Sequence, residues 1–324
     1  MPYTETNLLK MWEDATLANN FLFCKIMSSD KELCKELLEA LLEIQIDHLE
    51  EPSSEKTMME SAVSKTVRFD VYAKNSSQIF DIEMQTSTNW RSNIAKRTRY
   101  YQSVIDIDAL QAGERYSKLK DSYIIFICLD DPFGKNLPIY RFENMSLTEI
   151  DSETRKDSTE TSKGKDTLNI SNPPDSFSSK TFTLTKLEDK AYKIFFNASA
   201  CDKIKTNDKV KNFLKILKGE KAGDDFSRKL EDKVNFAKKN LSYRGQFMTF
   251  QELLEDEKEL VREKALKEGH LAGLEEGMEK GAHEKALENA KNLLKMKLGT
   301  IKQIAEATGL SITEVEGCQG PSKS

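Results

Sequence analysis

The chain has 324 residues, 38% of them hydrophobic and 32% charged, with a formal net charge of -5, which places it among soluble, strongly charged proteins of about two domains, or one domain with long appendages. The longest strongly apolar run, Tyr123 to Leu129, falls well short of the ~20 residues of a bilayer-spanning helix, and the N-terminus lacks the basic-then-apolar order of a secretion signal, so no membrane association and a cytoplasmic location are expected. Five widely spaced cysteines and only 3 histidines, His48, His270 and His283, exclude a disulfide framework, a Cys-rich zinc site and histidine-based hydrolysis, leaving carboxylates and amides to carry any catalysis.

The first fifty residues are predicted to be helical. Leu33, Leu37, Leu38, Leu41 and Leu42 recur at three- and four-residue spacings and share one face. Ile44, Ile46 and His48 then switch to a period of two, and 51–64 follows as a polar connection. Next, Val67, Phe69, Val71 and Ala73 alternate with Arg68, Asp70 and Tyr72. Phe80, Ile82 and Met84 alternate with Asp81, Glu83 and Gln85 beyond an Asn75-Ser76-Ser77 turn, which predicts a β-hairpin with one apolar and one polar face.

A helix is predicted from Arg91 to Gln111, closed by Gly113, and then a fully covered strand from Tyr123 to Leu129. The order so far is α-β-β-β-α-β. Short strands are expected at 139–142 and 191–197. Between 151 and 180 only Leu168, Ile170 and Phe177 are large and apolar, so this segment is expected to be a disordered low-complexity insertion.

Helices return at 207–217 and 225–239, and a long charged helix runs from about Thr249 towards Lys297, with glycines at 269, 273, 277 and 281. That stripe fits either a solvated helix or a self-association seam, each glycine costing ~1 kcal/mol of helix propensity relative to alanine. The end, Ile301 to Val315, is predicted as helix, turn at Gly309, helix, with Ser311 and Glu314 as a capping box. It resembles part of a helix-turn-helix, but no basic residue lies between Lys302 and Lys323 to meet DNA. The domain plan is therefore 1–150 as an α/β core, 151–180 as an insertion, 181–250 as completion of the core and 251–324 as a helical tail.

Chemistry concentrates in the hairpin. A loop through Asn75 to Gln78 would set Asp70 directly opposite Glu83 and Arg68 opposite Gln85, with facing Cβ atoms ~5 Å apart. Two carboxylates that close can share one Mg²⁺, a hard ion that takes oxygen ligands, and Gln85 is placed to orient a bound water. Equally, the same residues suit the wet face of an amphipathic hairpin with an Arg68 salt bridge. The following helix carries Lys96, Arg97, Arg99, Tyr100, Tyr101 and Gln102. Over 91–120 seven Lys and Arg face three acids, a local net of +4 within an acidic chain. Cations interleaved with aromatics suit a phosphodiester backbone. Helical geometry lets Lys96 share a face with Arg99, and Arg97 with Tyr101, so one pair is expected to line a DNA groove and the other to pack inward.

The strand order, an Asp in the second strand and a Glu-x-Gln in the third resemble the PD-(D/E)XK nuclease superfamily. More narrowly, the following segments resemble the Rpn family of recombination-promoting nucleases and transposases: Asn20 to Met27, Arg68-Phe69-Asp70-Val71-Tyr72, Ile82-Glu83-Met84-Gln85-Thr86, Arg97-Thr98-Arg99-Tyr100-Tyr101-Gln102, Ser122 to Cys128 and Asp131-Pro132-Phe133-Gly134-Lys135. The resemblance covers about 14–250. It implies a restriction-endonuclease-like α/β core with a mixed sheet flanked by helices, and a Mg²⁺- or Mn²⁺-dependent DNA endonuclease linked to recombination or mobile elements. It also implies Asp70 and Glu83 as metal ligands, with Gln85 in the place of the superfamily's lysine. Asn20 departs from the pattern, since relatives carry Asp there. That amide and the missing lysine motivate the alternative, a catalytically degenerate nuclease fold that binds DNA or protein.

Overall fold

The computed structural model describes residues 4–58, 67–86, 93–150, 181–221 and 223–318. The chain divides into two units, Met1–Phe247 and Met248–Ser324.

The first unit is built on a six-stranded mixed sheet. Its strands are β1 (Ser53–Met58), β2 (Val67–Lys74), β3 (Gln78–Gln85), β4 (Asp121–Cys128), β5 (Ile139–Phe142) and β8 (Ala191–Asn197), in the spatial order β1-β2-β3-β4-β8-β5. A separate hairpin pairs β6 (Met145–Ile150) with β7 (Thr181–Lys186). The centre of the sheet is parallel, β3 to β4 and β4 to β8, and antiparallel pairs flank it. Parallel central strands must be covered on both faces, which explains the unbroken apolar run in β4. The crossover between β3 and β4 is α4 (Ile94–Ala109).

Ile94, Tyr101, Val104 and Ile105 of α4 pack on Ile79, Ile124, Phe126, Cys128 and Phe195 of the sheet. Phe126 lies against Phe195 of the neighbouring strand, ring centroids 5.0 Å apart and planes within 8°. The row on the opposite side runs Phe80, Tyr123, Tyr192, stacked at 5.3 and 4.8 Å. Before the sheet come α1 (Glu5–Asp14), α2 (Asn20–Ser29) and α3 (Lys31–Leu42), and after it α5 (Asp208–Leu217) and α6 (Asp225–Lys239). Each of these five helices starts on a Thr, Asn or Asp side chain that accepts a backbone N–H, the cap that such short polar residues provide. Trp12, Phe21 and Phe247 form an aromatic cluster in this unit, with centroids 5.1 to 6.3 Å apart.

The second unit contains most of α7 (Leu241–Lys295), then α8 (Ile301–Thr308) and α9 (Ile312–Gly317). Ile304, Ala305, Leu310 and Val315 close a small core around Ala290. Gly309 takes the left-handed conformation that ends α8, and Ser311 and Glu314 form the expected capping box, with a second one at Thr300 and Gln303. A Cβ added at Gly269, Gly273, Gly277 or Gly281 would meet nothing within 4 Å.

Three expectations change. Residues 44–48 form no strand, and the first strand is instead Ser53–Met58, inside the segment read as a connection. It is an edge strand paired only with β2, so it needs no apolar alternation to be held. The long helix starts at Leu241 rather than near Thr249. The hairpin also has no wet face, because β2 and β3 are buried almost throughout, Asp81 and Glu83 at 0% exposure. The proposed insertion at 151–180 and Arg91 lie outside the described residues.

Candidate active site

β2 and β3 pair in the predicted register from Lys74↔Ile79 to Val71↔Ile82. One step further on, where Asp70 would face Glu83, side chains replace the ladder. The Asp70 N–H donates to Glu83 Oε1 at 3.1 Å, and the Met84 N–H donates to Asp70 Oδ2 at 3.0 Å. Each carboxylate thus caps an amide of the other strand, in the opened end of the hairpin.

Phe69 and Tyr72 join the same core cluster, their rings 5.8 Å apart. Residues three apart on a regular strand point to opposite faces, so the alternation of faces along β2 breaks between Phe69 and Tyr72, while the β1–β2 register continues one-to-one from Tyr72 to Val67. The ladder runs only as far as Val71↔Ile82, and Asp70 and Glu83, expected to face each other there, meet instead through the Asp70 N–H on Glu83 Oε1. Their remaining oxygens turn to different helices. Asp70 Oδ1 accepts from Asn20 Nδ2 of α2 at 2.9 Å, and Asn20 Oδ1 in turn lies 3.2 Å from Cys24 Sγ. Glu83 Oε2 accepts from Arg97 Nη2 of α4 at 2.5 Å.

Arg97 is the hub. Its Nη1 donates to Gln85 Oε1 at 3.2 Å and its Nε to the Tyr101 hydroxyl at 2.9 Å. The guanidinium lies 4.9 Å from the Tyr101 ring centroid and 5.5 Å from that of Phe126. The inward-packing pair of α4 is therefore Arg97 and Tyr101. Tyr101 is buried, and Gln102 donates to Asp106 and to Ser122 Oγ, so neither lies open for a nucleic acid in the way the sequence suggested. Lys96, Arg99 and Arg68 are exposed, and Tyr100 is half-buried.

The sequence pattern did not single out Asp81, two residues before Glu83 on β3. It is fully buried opposite Tyr72 and Ile124, no N–H or hydroxyl group donates to either of its oxygens, and its polar neighbour is the Glu83 carboxyl group. The available signal was its place in an otherwise apolar strand, at a position in phase with Glu83.

Burial raises the pKa of Asp70, Asp81 and Glu83 above the ordinary carboxylate range, and for Asp81 and Glu83 the shift is large. The Asp70 charge adds to this at Asp81 and Glu83, while Arg97 opposes it at all three. Burial tends to lower the Arg97 pKa, but Glu83, Tyr101 and Asp70 together outweigh it, so the guanidinium stays charged. Among the acids Glu83 alone has the guanidinium on it, yet burial still outweighs that charge there.

Three buried acids face one half-buried guanidinium, an excess of negative charge that a low-dielectric interior tolerates only with protons or a further cation. The donors are hard oxygens, the set that suits Mg²⁺ or Mn²⁺ and not a soft metal. Among the described residues no group of three His, Cys, Asp or Glu side chains already stands ready to hold an ion. The donor chemistry suits such an ion, while Arg97 occupies one oxygen of Glu83 and the Asp70 N–H the other.

A mixed sheet flanked by helices, with an acid on the second strand and a Glu-x-Gln on the third, defines a PD-(D/E)XK-like α/β fold. Residues 17–158 match the family model described as PD-(D/E)XK nuclease family transposase, so the resemblance carried by the motifs holds over that segment. No curated protein and no solved structure matches the chain. Among the described residues no helix is long and apolar enough to cross a membrane.

Proposed function

We propose that this chain is a divalent-metal-dependent DNA endonuclease acting on behalf of a mobile element or in recombination. The observation that carries this reading is the excess of buried carboxylate at the opened end of the β2–β3 hairpin, inside the segment that matches the nuclease family. Asp70 and Glu83 would hold Mg²⁺ or Mn²⁺, which supplies charge for a phosphoryl oxygen and a bound water of lowered pKa. Gln85, at the rim with 9% exposure, would orient that water through its amide, whose Oε1 accepts from Arg97. Asn20 holds Asp70 in place by donating to its outer oxygen. The deciding experiment is plasmid nicking with and without Mg²⁺, comparing the full chain with Asp70→Ala and Glu83→Ala.

DNA is the substrate in this reading, and the exposed side of α4 is its track. Replacing both Lys96 and Arg99 with alanine is expected to weaken binding alike for all sequences and to reduce the salt slope by about two. Fluorescence anisotropy across a salt series checks this, and an unchanged slope removes α4 from the interface. A second contact is self-association through α7, whose glycines meet open space in the single chain. Sedimentation of the full chain tests it.

One observation favours the rival reading of a binding module. Each oxygen of Glu83 already accepts a hydrogen bond, from Arg97 and from the Asp70 amide, so its charge has a partner without a metal. A wild-type chain that binds DNA but never cuts it in Mg²⁺ or Mn²⁺ would establish that reading.

A further inference from the structure

We propose that Arg97 is the resident counter-ion of this site and competes with the divalent cation for Glu83, so that metal affinity is set by a residue of α4 that is not itself a ligand. The inference rests on the metal-binding reading of Asp70 and Glu83.

Glu83 is 0% exposed, and its two oxygens are held by the Asp70 N–H and by Arg97 Nη2. The Arg97 side chain is 32% exposed, so it is the member of this pair that reaches solvent. An ion arriving from outside takes the outer oxygen of Glu83 only if the guanidinium gives it up.

Arg97 is also built to return. Its fork is fixed by Gln85 Oε1 and Tyr101 Oη, and its plane lies against two aromatic rings, so the position beside Glu83 is preorganised. With Gln85 standing where the superfamily has a lysine, Arg97 also brings to this strand end a positive charge that the strand itself lacks. A guanidinium and a divalent ion on the same carboxylate repel each other. Binding of one is therefore linked to release of the other, and the linkage is reciprocal.

Mn²⁺ titrations followed by electron paramagnetic resonance, on the metal-free full chain, test this directly. Arg97→Gln is expected to bind Mn²⁺ roughly tenfold more tightly than wild type. Arg97→Lys, which keeps the charge but loses the fork, should fall between the two. Asp70→Asn should abolish binding in either background. If folded Arg97→Gln and Arg97→Lys bind no more tightly than wild type, while Asp70→Asn still abolishes binding, the competition is overturned and the metal site stands. If no variant binds Mn²⁺, or Asp70→Asn binds like wild type, the metal reading falls and takes this inference with it. Should Arg97→Gln fail to fold, as judged by circular dichroism, the comparison of Arg97→Lys with wild type decides.

Discussion

Asp70→Asn and Glu83→Gln are each expected to lower Mg²⁺-dependent DNA cleavage by roughly 10³-fold, about 4 kcal/mol of transition-state stabilisation. Both changes keep shape and remove charge. Asn at 70 can still accept from the Met84 N–H and, once Asn20 turns its amide over, donate to Asn20 Oδ1; Gln at 83 can still accept from the Asp70 N–H while Arg97 gives up its bond there, so the opened hairpin survives in either variant. What goes is the anionic oxygen that a hard cation requires. DNA binding by α4 should persist, which separates lost chemistry from lost fold. Nicking assays on variants with wild-type circular dichroism give the answer, and undiminished cleavage in both would place the chemistry elsewhere.

The second large effect concerns Asp81 and stability. Its pKa is raised well above normal, first by burial and then by the Asp70 charge. Below about pH 4 the folded and unfolded chains both hold its proton, and the side chain costs little. As the pH rises the unfolded chain releases that proton and the folded chain does not, so stability is lost progressively until the folded pKa is reached. Asparagine escapes this loss. Asp81→Asn is therefore expected to raise stability at pH 7.5 by about 1–3 kcal/mol and by much less near pH 4, as read from urea denaturation midpoints. An equal gain at both pH values would show that ionisation is not the cause, and a loss at pH 7.5 would show that Asp81 holds something in place.

The difference between Asp81 and its neighbours explains how much of the site could be read in advance. Asp70, Glu83 and Gln85 belong to motifs, and their strands alternate cleanly enough to fix the register from Lys74↔Ile79 to Val71↔Ile82. The break in alternation between Phe69 and Tyr72 leaves no mark in the sequence, where Val67, Phe69, Val71 and Ala73 alternate cleanly with Arg68, Asp70 and Tyr72. Arg97 was legible as a cation of α4, but its direction was not. Three- and four-residue spacing shows that Lys96 and Arg99 share one face and Arg97 and Tyr101 another, without showing which face meets the sheet. Only packing decides, and Tyr101 against Phe69 and Phe126 decides it. For the fold, β4 announced itself as a seven-residue apolar run, whereas β1 did not, since a polar edge strand is held by backbone pairing that composition does not record.

Asp70, Glu83, Gln85 and Arg97 all lie on the single path from β2 through β3 to α4, and the loops closed in bringing them together are short. Short loops cost little entropy to close and form early. The charged centre can therefore assemble as a local cassette, largely indifferent to the length of 151–180 or to the helical tail. The exception is Asn20, whose hydrogen bond reaches Asp70 across fifty positions of chain. Through that amide, docking of α2 is reported to the centre. Substitutions that loosen α2 would thus be felt at Asp70 without touching the cassette itself.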